Sequence, residues 1–197
     1  MSVRKTDFAR RQQILIAAER LLQHYGPTKT TVSDIAREAA VAVGSVYLEF
    51  AGKDAILEEL SGRRYASVLA PMREAAADTT LPWPERVQQV FERRTRAFQA
   101  LSSDGLHACD LLHSVCPGVQ GAYARFLGEQ SALVEQLLRD GDAAGELTVP
   151  DPPGSAEALL AAWAPLSPPW LFRLAADKVD RLVGALGHLV TNGLTAR

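Results

Sequence analysis

Apolar side chains first recur at helical intervals between residues 8 and 25. Ile14, Ala17, Ala18, Leu21, Leu22 and Tyr25 share one face, and Gly26-Pro27 closes the run. Residues 1–7 are polar and read as a short frayed arm carrying Arg4 and Lys5. A second run begins after Thr31, whose spacing to Asp34 matches a capping box. Val32, Ile35, Ala36 and Ala39 then lie on one face. Ala40 falls where a tight turn often takes Gly, and Val41 is placed to plug the space before the next helix. That third run, about Val43 to Phe50, buries Val46 and Phe50 at i and i+4. Val43, Gly44, Ser45, Leu48 and Glu49 are left facing outward.

The pattern beyond is helical to the end. Lys53-Asp54 opens a helix expected to reach Ala77, with Ile56, Leu57, Leu60, Val68, Leu69 and Met72 inward and a bend at Pro71. Residues 78–84 are a linker, and Pro84 suits the first position of a helix ending near Ser102. A short helix is expected from Leu106 to Val115, then longer ones over Val119–Asp142, Ser155–Leu166 and Ala176–Leu194. The expected fold is all-α with about nine helices. Residues 1–53 form a three-helix head, and residues 54–197 form a helical body.

Composition agrees: Ala and Leu are abundant, while aromatic residues make up 7% of the chain. The net charge of −2 gives no global sign of a nucleic-acid partner. Its distribution does. Residues 1–53 carry eight cations and five acids, net +3, so the remainder carries −5. A cationic front fits an anionic partner held at one end. Cys109 and Cys116 lie about 10 Å apart on a straight helix, beyond disulfide reach. No apolar run approaches a membrane span. A reduced cytoplasmic protein is expected, with no cofactor.

Two short helices joined steeply by a tight turn make a helix-turn-helix, whose second helix enters the DNA major groove. The run IAREAAVAVGSVYLEFAGKDAIL, with Ile14, Ala17, Ala18, Leu21, Leu22, Tyr25 and Gly26 before it, resembles the DNA-binding domain of TetR-family transcriptional regulators. The likeness covers about the first quarter of the chain. It rests on Ile-Ala, the small pair and Val at the turn, then Tyr47, Phe50 and Lys53 at the family spacing. The resemblance implies that Thr31, Tyr47 and Lys53 contact the DNA backbone. Base reading falls to Val43, Gly44, Ser45 and Leu48: Ser45 by hydrogen bonds, Val43 and Leu48 by contact with thymine methyls. Two positions depart from the family habit: Val43 is neither basic nor polar, and Glu49 is neither aromatic nor His. Glu49 is expected to accept from cytosine, to repel phosphate, or to pair with Lys53 or an Arg, the last being favoured.

The body is expected to bind a small apolar or amphipathic effector in a pocket lined by Met72, Trp83, Phe91, Phe98, His107, His113, Tyr123, Phe126 and Trp163. The last two helices are apolar on more than one face. Leu159, Leu182, Leu186, Leu189 and Val190 are therefore expected at a homodimer interface, with Gly184 and Gly187 admitting close backbone approach. The resulting reading is a ligand-responsive regulator, not an enzyme, that binds double-stranded DNA at a palindromic operator as a repressor. Two alternatives arise from Cys109, His113 and Cys116, which fall at i, i+4 and i+7 of the expected short helix. They would make the chain a metal- or thiol-sensing regulator, or a thiol hydrolase. The hydrolase lacks a nucleophile elbow and an orienting acid.

Overall fold

The computed structural model describes residues 2–102 and 109–194. Nine α-helices are found among them. They are α1 (Ser2–Lys29), α2 (Val32–Glu38), α3 (Val43–Glu49), α4 (Lys53–Ala77), α5 (Trp83–Leu101), α6 (Asp110–His113), α7 (Pro117–Ala143), α8 (Pro152–Ala162) and α9 (Ala176–Leu194), with 3-10 turns at Ala164–Leu166 and Leu171–Arg173. The all-α expectation is met, and the bounds of α4 and α9 fall where the pattern places them. The first helix starts at Ser2 rather than at residue 8, so residues 2–7 are helical and not a frayed arm. It is interrupted where expected: Gly26 adopts φ 75°, ψ 167°, a conformation that suits only glycine.

The chain forms two compact units. The first comprises Met1–Tyr65 and Leu101–Ala124. Its core joins Ile14, Leu15, Ala18 and Leu22 of α1 to Ile35 and Ala36 of α2, Val46 of α3, and Ile56, Leu57 and Leu60 of α4. Leu111 of α6 and Val119 of α7 belong to the same core. Gly118 makes this possible, because a Cβ there would lie 2.1 Å from the Asp54 carbonyl oxygen. The Ser61 hydroxyl donates to the Leu111 carbonyl at 2.6 Å, and the Tyr65 phenol donates to that of Leu112. Burial pushes the Tyr65 phenol well above its ordinary pKa, so it stays a donor.

The second unit comprises Ala66–Ala100 and Arg125–Arg197. Its interior is aromatic: Phe91 stacks on Trp163 at 4.4 Å, and Phe98 meets Phe126 edge-on at 5.7 Å. Buried Arg94 lies over the Phe98 ring, donates to Gln130 at 3.0 Å and to the Ser167 hydroxyl at 2.7 Å, and so ties α5 to α7 and to the end of the Ala164–Leu166 turn. Helix α9 packs on α5 at Gly187, where a Cβ would lie 2.8 Å from the Gln88 side chain. Gly187 thus serves its own unit rather than a partner. No helix among the described residues is long and apolar enough to cross a membrane.

Candidate nucleic-acid interface

The turn between α2 and α3 is built from the sequence upward. The Thr31 hydroxyl accepts from the Asp34 N–H at 3.2 Å, and the Asp34 carboxylate accepts from the Thr31 N–H at 3.1 Å, completing the capping box. That carboxylate also accepts the Thr31 hydroxyl proton at 2.6 Å and lies beside Arg37, which together hold its pKa below the ordinary value. At the other end, Val41 N–H bonds to the Ala36 carbonyl at 3.0 Å and Ala40 N–H to that of Arg37 at 3.1 Å. This is a Schellman closure with Ala40 in the left-handed position, φ 51°. Val41 packs against the core as expected. Gln13 of α1 donates to the Ala39 carbonyl at 2.7 Å and fastens the turn to α1.

Helix α3 is thereby held with Val46 fully buried and its opposite face bare. Val43 is 41% exposed, Tyr47 56% and Leu48 78%. Gly44 is exposed with open space where a Cβ would be, and Ser45 is half-buried beside it. Thr31 is exposed at the start of α2. All of these residues belong to the first unit, and an α-helix is of a width that a major groove admits.

Two side chains carry more than sequence reading could assign. The Lys53 ammonium donates to the carbonyls of Pro27 at 2.8 Å and Thr30 at 3.2 Å. It closes the loop that positions Thr31, with one N–H left over. Glu49 is turned inward, its side chain 11% exposed, and pairs with Arg10 rather than Lys53. Arg11 donates to the Glu49 carbonyl at 2.6 Å. No local signal marks these partners, because they lie 38 and 39 residues away.

The family model for bacterial regulatory proteins of the tetR family matches residues 14–60. Over 196 residues the chain is 30% identical to the HTH-type transcriptional regulator TtgR of Pseudomonas putida, covering 93% of this chain and 89% of that one. The chain belongs to the TetR family. It is a DNA-binding transcription regulator of the helix-turn-helix type. A second relative, an uncharacterized HTH-type transcriptional regulator of Haemophilus influenzae, is 35% identical over 88 residues, or 45% of this chain and 46% of that one. A crystal structure of the regulator FadR from Bacillus subtilis in complex with stearoyl-CoA shares the fold, with a TM-score of 0.67 at 20% identity over 92% of this chain and 98% of that one.

The body residues of this TetR-family chain divide between the two units. Met72, Phe91, Phe98, Phe126 and Trp163 are buried in the second, where Trp83 lies half-buried under the Arg86 guanidinium. Tyr123 and exposed His113 belong to the first unit, with Tyr123 against Tyr65. His107 lies outside the described residues. A groove of about 570 Å³ in the second unit is lined by Ala161, Ala164, Pro165, Trp170, Arg173, Leu174, Lys178 and Leu182, and none of the expected pocket residues lines it. Among the expected interface residues, Leu189 is 67% exposed, and Leu159, Leu182 and Leu186 are half-buried. Val190 is buried within its own unit.

The metal reading rested on one helix presenting Cys109, His113 and Cys116 together. Helix α6 spans only Asp110–His113, and Ser114 leaves it in extended backbone, so the three are not on one helical face. No three His, Cys, Asp or Glu side chains gather as metal ligands among the described residues. Burial and the neighbouring Asp110 carboxylate raise the Cys109 pKa, which works against a reactive thiolate there.

Proposed function

We propose that two copies of this chain bind a palindromic duplex, each placing α3 in the major groove, and that an apolar or amphipathic effector releases them. The observation that carries this is the bare face of α3. Leu48 stands exposed on the side of the helix opposite fully buried Val46, with Tyr47 exposed beside it. In this reading the head is residues 1–53 and residues 54–197 form the effector-binding and dimerising body. Thr31, Tyr47 and Lys53 meet phosphates. Val43, Gly44, Ser45 and Leu48 meet base edges. The exposed and half-buried leucines of α8 and α9 meet a second copy, which matches the two-fold symmetry of a palindrome. Such a regulator works in the cytoplasm, where its DNA is.

The effector chemistry follows from the second unit. Its interior is dominated by Phe91, Phe98, Phe126 and Trp163. The Trp163 indole N–H is buried with no acceptor among the described residues, whereas a buried indole N–H usually finds one. An effector with an apolar body and an acceptor oxygen suits both features. The structural relative bound to stearoyl-CoA is in keeping with a large, partly apolar ligand.

The test is sedimentation combined with a gel shift on duplexes recovered from a randomised pool. A dimer whose shift is lost at high salt supports the reading. A monomer that shifts no recovered duplex overturns it.

A further inference from the structure

Arg10 and Arg11, neighbours on α1, converge on the C-terminal end of α3. The Arg10 guanidinium donates through Nε to the Glu49 carboxylate at 2.8 Å, and a terminal nitrogen reaches the same oxygen. Arg11 Nη1 donates to the Glu49 carbonyl at 2.6 Å. That carbonyl belongs to the last turn of α3, where a cation is favoured by the helix dipole. The Arg11 guanidinium also lies 4.0 Å from the Phe50 ring centroid, and its other terminal nitrogen pairs with Glu59 on α4. All of these residues belong to one unit.

The geometry points to a positioning role: the Arg10–Glu49 pair and the Arg11 fork set the angle at which α3 presents its bare face, and Glu49 reads no base. The proposal rests on the reading of α3 as the DNA-reading helix. Three features carry it. Helix α3 has seven residues and no side-chain cap at Ala42, so its own hydrogen bonds hold its orientation weakly. Its C-terminal end is instead tied to α1 and α4 by planar guanidinium forks, which fix direction as well as distance. Finally, the Glu49 side chain is only 11% exposed, because it is committed to Arg10. The contacts named for both guanidinium groups thus run to α3 and α4.

A double-mutant cycle of Arg10→Ala and Glu49→Ala tests this. Each protein is measured against the duplex that wild type recovers from a randomised pool and against a scrambled duplex of equal length, over a range of salt. Each single substitution is expected to lower the preference for the recovered duplex about tenfold. The double substitution costs no more than either single one. The salt slope stays at the wild-type value, because no phosphate contact is lost. Arg11→Lys, which keeps the charge but not the planar fork, lowers the same preference. Should the Arg11 variant fail to fold, the partly exposed Arg10–Glu49 pair still decides.

A salt slope reduced by about one in Arg10→Ala would assign Arg10 to a phosphate and overturn the proposal. So would a preference altered at a single base pair by Glu49→Ala, or a lowered melting temperature with the preference intact. If wild type recovers no duplex, the reading of α3 itself falls and takes the proposal with it. Variants indistinguishable from wild type on a recovered duplex sink only the positioning role.

Discussion

The Lys53 ammonium at the start of α4 lies 2.8 Å from the carbonyl oxygen of Pro27, across the loop that delivers Thr31. A second bond, to Thr30, makes the lysine a clamp within the free protein. Lys53→Ala is therefore expected to cost on the order of 1–2 kcal/mol of stability without any DNA present, besides weakening all duplexes alike. Thermal melting of the free variant checks it. A residue that served phosphates alone would leave the melting temperature where it was. Tyr47→Ala is the contrast: an exposed side chain whose loss should weaken all duplexes while sparing stability.

Ala40 pays for its place in the turn with a left-handed backbone, φ 51°. An L-residue loses roughly 1–2 kcal/mol there, and glycine does not. Against that, glycine surrenders about 0.5–1 kcal/mol more chain entropy on folding. Ala40→Gly should then stabilise the protein by roughly half a kcal/mol to one, seen as a higher denaturant midpoint. A lower midpoint would mean that the Ala40 methyl is doing packing that the open turn does not reveal.

These two residues also show how far the chain could be read without coordinates. Thr31, Asp34, Ala40 and Val41 were legible because caps and turns are written in neighbouring positions. The limits of α4, Lys53–Ala77, were legible for the same reason. The partners of Lys53 and Glu49 were not, since they lie 26 and 39 residues distant and no periodicity links them. The Cys109–Cys116 spacing fits one unbroken helix, but α6 ends at His113, and no residue type in that stretch signals the stop before Pro117. Tyr25 sat on the apolar stripe of α1, yet it is half exposed beside the break at Gly26.

Gly44 lies on the bare face of α3 with nothing within 4 Å of a built Cβ. In the free protein Gly44→Ala should add about 0.5–1 kcal/mol through helix propensity. On DNA the added methyl occupies the surface that enters the groove. A more stable protein that binds its duplex less tightly is the expected result, read by paired melting and gel-shift titrations. Unimpaired binding would place the groove contact elsewhere on α3.

Trp163 separates packing from polarity. Trp163→Phe keeps a ring on Phe91 while removing the buried N–H that has no acceptor among the described residues. Stability should be nearly unchanged, since loss of an unpaired donor offsets the smaller ring. Trp163→Ala should cost about 3–5 kcal/mol. In a thermal-shift screen of acceptor-bearing amphiphiles, wild type should respond and Trp163→Phe should respond less. An equal response would exclude the indole N–H from effector binding.

Asp34 gives the acid limb of stability a local origin. Its hydrogen bonds to Thr31 and the nearby Arg37 hold its pKa below the ordinary 3.8. A depressed carboxylate contributes stability that is complete above its unfolded pKa and is lost as pH falls through the folded one. Asp34→Asn should flatten stability against pH below about 4 and leave its slope near neutrality untouched. Denaturation midpoints over that acid range check it.

The central claim is that the face of α3 bearing Ser45 and Leu48 reads a duplex twice over. Selection from a randomised duplex pool, repeated with Ser45→Ala and Leu48→Ala, tests it most directly. The expected result is an inverted repeat recovered by wild type, with half-sites that change at particular base pairs in each variant. Recovery of no repeat, or of the same half-sites by all three proteins, would contradict it.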